Sequence, residues 1–282
     1  MKAIIQIVGP PGTGKTTIAE ILIHELADSE RAKSGKTLLL LAVDASGDVS
    51  GDASANLRPA GGGQTLTSHF SPQANSLTLA GVIENMQAKA APEYARPESL
   101  ESIDWQCHDL TVPVGEEIDL LTLGPLHLLA GFSGARPRSP VEKALAYGLN
   151  RLLREYDYVV IDGDQPGLTP LLSYDFPDHL HLLLIMTPAA LEAAANGNGD
   201  LQLNTYLLST QPISLITNRC DVDHPVSPAG QAWLDQALSS GSRLRPVGKL
   251  PQYATFEAGI RQMPNVFQNC LLKMDLPLPT SF

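Results

Sequence analysis

The sequence has few of the features that mark secreted, membrane-bound or nucleic-acid-binding chains. Its three cysteines, Cys107, Cys220 and Cys270, lie far apart, so no paired spacing indicates a zinc or iron–sulfur site. No apolar run approaches the length of about 20 residues that crosses a bilayer, and the N-terminal apolar run is too short for a signal peptide. Nineteen basic residues against 30 acidic ones give a net charge of −11, which opposes binding to DNA or to an anionic membrane. We therefore expect a cytoplasmic protein with reduced cysteines.

Short apolar runs alternate with stretches of helical period, which is the pattern of a parallel sheet covered by helices. The chain has 282 residues, 43% of them hydrophobic, and is long enough for one large α/β domain over residues 1–282. Such a domain would hold a mostly parallel sheet of about seven or eight strands with helices on both faces. The predicted strands are Ala3–Val8, Thr37–Val43, Ile118–Leu123, Tyr158–Ile161, His181–Met186, Ile213–Thr217 and Arg245–Lys249. The predicted helices are Lys15–Ala27, Pro140–Glu155, Ala189–Leu208 and Ser227–Ser239.

Residues 46–111 differ in composition from the rest of the chain, because Gly, Ser, Ala and Pro dominate there. This stretch is predicted to be a long insertion with helices near Leu79–Ala90 and Glu98–Trp105. A boundary to a second domain within it is the alternative.

A glycine-rich segment between the first strand and the first helix carries the strongest functional signal. It matches the phosphate-binding P-loop, Gly-x-x-x-x-Gly-Lys-Thr, and follows an apolar strand as that motif requires. Its backbone N–H groups would surround the phosphates, Lys15 would neutralise their charge, and the Thr16 hydroxyl would bind Mg²⁺. We expect ATP with Mg²⁺ here, with GTP as the weaker alternative. The predicted nucleotide-binding residues of this loop are Gly9, Pro10, Pro11, Gly12, Thr13, Gly14, Lys15, Thr16 and Thr17.

Two predicted strands end in carboxylates that are candidates for the metal and for the attacking water. Asp162 ends one strand, and Asp164 follows two residues later. In P-loop proteins such an Asp lies on the Mg²⁺ side, so the two residues compete for that role. Asp44 ends another strand and opens an acidic loop that includes Asp52. A carboxylate there would orient water, while a solvated turn is the alternative for the loop residue.

A third strand end has the residue types that read a purine base. Asn218, Arg219 and Asp221 follow the apolar run Ile213–Thr217. The amide of Asn218 can donate and accept at a purine edge. Asp221 stands where guanine-specific proteins place a carboxylate, which keeps GTP open as an alternative. An ordinary strand-to-helix loop is the plainer interpretation.

Taken together, these segments resemble the MinD/ParA superfamily of P-loop ATPases. The resemblance rests on residues 3–27, Leu-Ala-Val-Asp at 41–44, Tyr-Asp-Tyr-Val-Val-Ile-Asp at 156–162, Thr-Asn-Arg at 217–219 and Val-Gly-Lys-Leu-Pro at 247–251. It implies a three-layer P-loop NTPase fold and a nucleoside contact at Pro251. Asp-x-x-Ala-Asn-Leu at 52–57 is most similar to the carbon monoxide dehydrogenase maturation ATPases, which the resemblance groups with the nitrogenase iron protein.

The sequence departs from that superfamily at four places. The segment from Asp162 to Gly167 has one residue more than the usual Asp-x-x-x-Gly. Pro10 stands where the family carries a signature lysine that reaches the partner's phosphates. Ser46 replaces the expected second acidic residue, unless an insertion moves that role to Asp52. The Cys-x-Cys metal site of the maturation ATPases is absent.

Three functions follow as hypotheses. The favoured one is a slowly hydrolysing ATPase switch that acts on a protein partner, with Lys15, Asp44 and Asp52 as its catalytic group. A nucleotide-dependent homodimer is left open, and DNA and membrane are disfavoured as partners. The alternatives are a small-molecule kinase or ATP-dependent ligase, and a nucleotide-binding regulator without catalysis.

Overall fold

The chain folds as alternating strands and helices. The computed structural model describes residues 1–34, 39–45, 65–70, 79, 111–123, 148–163, 168–198, 212–239, 243–252 and 273, apart from the side chains of 29–34 and 68–69. In chain order the elements are β1 (Ala3–Val8), α1 (Lys15–Ser34), β2 (Leu40–Asp44), α2 (Leu66–Phe70), β3 (Thr111–Pro113), β4 (Ile118–Thr122), α3 (148–154), β5 (Tyr158–Asp162), α4 (Leu168–Asp175), β6 (Leu180–Met186), α5 (Pro188–Ala195), β7 (Ile213–Thr217), α6 (Pro228–Ser239) and β8 (Leu244–Lys249).

Contacts divide the chain into two compact units. One unit comprises Ala3–Lys36 and Leu180–Phe282. Within it the strands run in the order β1–β6–β7–β8, and every pairing is parallel. Since β1 is buried along its whole length and β6 nearly so, this unit has its core around these two strands.

The other unit comprises Met1–Lys2 and Thr37–His179. Its strands run β3–β4–β2–β5, with β2 parallel to both β4 and β5. The short edge strand β3 pairs antiparallel to β4. All five residues of β2 and of β5 are buried, so the core of this unit lies around that pair.

The burial of the strands follows from their residues. Fully buried strands such as β1, with the sequence AIIQIV, are mostly apolar on both faces, as expected where parallel strands are covered on both sides. The edge strand β8 is partly exposed and contains Pro246. Proline has no N–H to donate to a neighbouring strand. The pairing of β7 with β8 accordingly shifts register between Leu215 and Ile216, opposite this proline.

The predicted α/β class with mostly parallel strands is confirmed. Each predicted strand is present, within one or two residues of its expected ends where those ends are described. The helix predicted at Lys15–Ala27 continues to Ser34. Among the described residues, no helix is long and apolar enough to cross a membrane. The single-domain organisation with an insertion at 46–111 stays a prediction.

Several boundaries differ from the predictions. The helix predicted at Ala189–Leu208 ends at Ala195, because Asn196 caps it and Gly197 follows with φ 74°. The sequence interpretation missed β3, α2 and α4. The helices predicted at Leu79–Ala90 and Glu98–Trp105 lie outside the described residues, except Leu79, which is helical. The helix predicted at Pro140–Glu155 is described only over 148–154.

Candidate nucleotide-binding site

The glycine-rich loop connects the end of β1 to the start of α1, as the motif predicts. Its two ends are fixed by buried apolar residues, Val8 before it and Ile18 after it. Within the loop, the buried Thr13 hydroxyl donates to the carbonyl oxygen of Pro10 at 2.9 Å. The first turn of α1 contains no acidic residue. Because a helix N-terminus carries partial positive charge, this end of α1 favours an anion.

Three glycines of this loop have backbone conformations that other residues rarely adopt. Gly9, Gly12 and Gly14 all have positive φ, at 144°, 76° and 90°. A Cβ on Gly9 would overlap the carbonyl of Ile185 in β6, and one on Gly14 would lie 2.6 Å from Asn218 Nδ2. Beside Gly12 a Cβ would meet nothing within 4 Å. The loop is therefore packed tightly against its own unit at two glycines and open at the third.

Lys15 folds back over the same loop. Its Nζ donates to the carbonyl oxygens of Gly9 at 2.8 Å and Pro10 at 2.9 Å. The backbone N–H of Ile18 donates to Gly14, which closes the first turn of α1 directly after the loop. Thr16 and Thr17 lie half-buried in that turn. The predicted role of Lys15 in neutralising phosphate charge stays a prediction.

Asn218 joins the loop after β7 to the P-loop. The residue is 5% exposed, and its Nδ2 donates to the carbonyl oxygen of Thr13 at 2.8 Å. Its Oδ1 accepts from the N–H of Arg219 at 3.0 Å. Arg219 has φ 56°, an unusual conformation for a residue other than glycine. The base-reading role predicted for Asn218 and Arg219 stays a prediction, and the structure adds a direct bond between the two loops.

Asp221 ties the loop after β7 to the loop after β8. One oxygen, Oδ1, accepts from the backbone N–H groups of Asp223 and His224 and lies 3.1 Å from His224 Nδ1. The other, Oδ2, accepts from the N–H of Gln252 at 3.2 Å. Pro251 lies in the loop that this bond holds.

The pKa of Asp221 lies below its usual value. Burial acts to raise this pKa, but the hydrogen bonds from His224 and Gln252 together outweigh it. The hydrogen bonds from the two loops therefore favour the ionised form of this carboxylate.

The two strand-end carboxylates, Asp44 and Asp162, lie together in the other unit. They occupy paired positions on the parallel strands β2 and β5, and the two residues are 3% and 2% exposed. Asp44 Oδ2 accepts from the N–H of Thr67 at 2.9 Å, and the hydroxyls of Thr67 and Thr122 lie 2.8 Å apart. Asp52 and Asp164 lie outside the described residues.

The sequence interpretation did not identify Thr67 and Thr122 as neighbours of Asp44. Neither belongs to a motif, and only the fold brings them to Asp44. Within the described part of the chain, no three His, Cys, Asp or Glu side chains are grouped to hold a metal. Mg²⁺ bound with a nucleotide takes most of its ligands from phosphate and water, so one or two protein oxygens suffice. The grouping of Thr16 with Asp162 or Asp164 at one metal stays a prediction.

Solved structures share this fold. McdA of Cyanothece, in a complex with ATP, is 14% identical, with a TM-score of 0.53 over 99% of this chain and 100% of that one. A plasmid partition protein of Borrelia burgdorferi is 18% identical, with a TM-score of 0.51 over 96% and 97%. The septum site-determining protein MinD of Pyrococcus horikoshii, complexed with Mg-ADP, is 18% identical, with a TM-score of 0.50 over 98% and 96%.

These similarities define the class of fold. The chain has the P-loop NTPase α/β fold that MinD and ParA-type ATPases share. No protein-family model matches the sequence, and no curated protein matches it either. The fold expected from the resemblance is thus confirmed.

Proposed function

We propose that the chain binds ATP with Mg²⁺ and acts as a nucleotide-dependent switch on a protein partner. The observation that carries this proposal is the P-loop itself, with its three positive-φ glycines and the ammonium of Lys15 folded onto the loop. A loop of this shape at a helix N-terminus is suited to phosphate. McdA, which shares the fold, is known in a complex with ATP, and MinD in one with Mg-ADP.

Asp221 supports ATP over GTP. A carboxylate that reads guanine must accept from the N–H groups of the base. Both oxygens of Asp221 already accept hydrogen bonds within the chain, from Asp223 and His224 on one side and Gln252 on the other. Guanine would have to displace or share these bonds, whereas adenine makes no such demand.

The remaining roles are proposed from residue type and position. Lys15 neutralises phosphate charge, and Thr16 contributes its hydroxyl to Mg²⁺. Asp162 contributes its carboxylate on the Mg²⁺ side of the nucleotide. Pro10 provides no amine for a partner's phosphates, so we expect slow hydrolysis that the protein partner stimulates. We place the chain in the MinD/ParA superfamily, with the maturation ATPases as its nearest branch. A nucleotide-dependent homodimer is compatible with this proposal.

The proposal is tested by comparing wild type with Lys15→Ala in ATP–Mg²⁺ and in GTP–Mg²⁺. Removing one charged donor to phosphate should weaken ATP binding about ten- to hundredfold. Arg245→Ala, which removes an exposed cation from the edge strand β8, is the matched control and should bind like wild type. Hydrolysis and oligomeric state are recorded in the same samples.

Each outcome has a distinct meaning. Turnover or dimerisation that wild type shows and Lys15→Ala lacks supports the switch. Binding without either favours the catalytically silent regulator. ATP consumption that requires a small acceptor favours the kinase or ligase. Failure of wild type to bind any nucleotide would overturn the P-loop assignment.

A further inference from the structure

The carboxylate of Asp44 accepts a hydrogen bond from the start of α2. Its Oδ2 accepts from the N–H of Thr67, the second residue of this short helix. The first N–H groups of a helix have no partner inside the helix. Ser, Thr, Asp or Asn next to the helix in sequence usually accepts from them. Thr65 directly precedes this helix in sequence, and the carboxylate of Asp44, 23 residues before Thr67, also accepts from one of its first N–H groups.

A second contact fixes the same helix. The Thr67 hydroxyl lies 2.8 Å from that of Thr122, the last residue of β4. Asp44 and Thr122 are paired positions on neighbouring strands, and the N–H of Leu123 donates to the carbonyl oxygen of Asp44. Thr67 is therefore held by two adjacent strand ends through two different atoms.

The burial of Asp44 beside Asp162 makes a hydrogen-bond donor to its carboxylate favourable. Asp44 and Asp162 are paired on parallel strands, which lie about 4.8 Å apart. The two side chains therefore project from the same face of the sheet. Both carboxylates are buried, and a buried charge is costly without hydrogen bonds. The N–H of Thr67 offsets part of this cost at Asp44.

We propose that Asp44 is a positioning residue, which holds the first turn of α2 at the carboxyl ends of β2 and β4, and that it does not bind the metal. Asp162 is then the strand-end carboxylate that serves the metal side. This inference rests on the proposed function for the roles of Asp44 and Asp162 with respect to the metal. The anchoring of Thr67 by Asp44 does not depend on nucleotide.

The test uses two substitutions at one position. Asp44→Asn keeps an oxygen that can accept from Thr67, whereas Asp44→Ala removes it. Hydrogen exchange at the Thr67 amide is measured first, in the full-length protein without nucleotide. We expect Asp44→Ala to lower the protection of this amide about tenfold or more, and Asp44→Asn to restore most of it. Thr122→Val, which removes only the hydroxyl contact, should give a smaller loss.

ATP affinity is then measured with and without Mg²⁺ for the same variants. We expect the gain in affinity that Mg²⁺ gives to wild type to persist in Asp44→Asn. Loss of that gain in Asp44→Asn, with the Thr67 amide still protected, would overturn the inference, because Asp44 would then act on the metal. An unprotected Thr67 amide in wild type would overturn it as well. Absence of ATP binding by wild type would defeat the proposed function and the metal roles that depend on it, while the anchoring of Thr67 by Asp44 would still be decided by the exchange experiment, which needs no nucleotide.

Discussion

The P-loop region and the Asp44 region of this molecule are held by contacts of different range along the chain. The P-loop is built from residues 9–16, which are adjacent in sequence, and its local contacts run between Lys15, Gly9 and Pro10. The Asp44 region joins Asp44, Thr67 and Thr122, which three separate segments supply. A local site can be recognised from its motif, while a site assembled over long distances emerges only from the fold.

The largest expected effect concerns the tight packing of the P-loop. Gly9→Ala should lower the free energy of unfolding by about 2–4 kcal/mol, because a Cβ would overlap the carbonyl of Ile185 at a strained φ. Gly12→Ala is the matched control, since its φ is also positive but its surroundings are open. It should cost about 1 kcal/mol. Urea denaturation measures both, and equal losses would contradict the packing explanation.

The next effect concerns the bond between the loop after β7 and the P-loop. Asn218→Ala leaves the buried carbonyl oxygen of Thr13 without its amide donor, which should cost about 1–3 kcal/mol of stability. Gln231→Ala, which removes an exposed amide that bonds Asp235 on α6, should change stability by less than about 0.5 kcal/mol. If thermal unfolding shows the two variants to be alike, Asn218 does not support the P-loop.

The smallest effect concerns Asp221 and depends on pH. Its pKa is lower in the folded chain, so its contribution to stability is full above the unfolded pKa of about 3.9 and is lost as pH falls through the folded pKa. The stability difference between wild type and Asp221→Asn should therefore shrink as pH falls below about 4. Denaturation at several pH values measures it, and a constant difference would rule out this linkage.

Much of the fold was predictable because its signals are local. Apolar runs bounded by turns indicated the strands, and the glycine spacing indicated the loop before α1. The sequence did not reveal the antiparallel strand β3, because three residues ending in a proline carry little pattern. It placed the end of α5 too late, since the helical spacing of apolar residues continues beyond the cap at Asn196 as far as Leu208.

The candidate site was predicted in the same uneven way. The residues of the P-loop are where the motif places them, and Asp44 and Asp162 end their strands as expected. The hydrogen bond from Asn218 to Thr13 joins residues far apart in sequence, and no motif predicts it. The same holds for the contact between Asp44 and Thr67, because the two residues lie 23 positions apart and no motif contains both.

The most direct test of the central claim is to observe where ATP binds. Hydrogen exchange, measured with and without ATP–Mg²⁺, reports on the backbone amides of Gly12, Thr13, Gly14 and Lys15. We predict that ATP–Mg²⁺ protects these amides in wild type and that Lys15→Ala largely abolishes the protection. ATP binding that leaves these amides unchanged, and protects another part of the chain, would contradict the account.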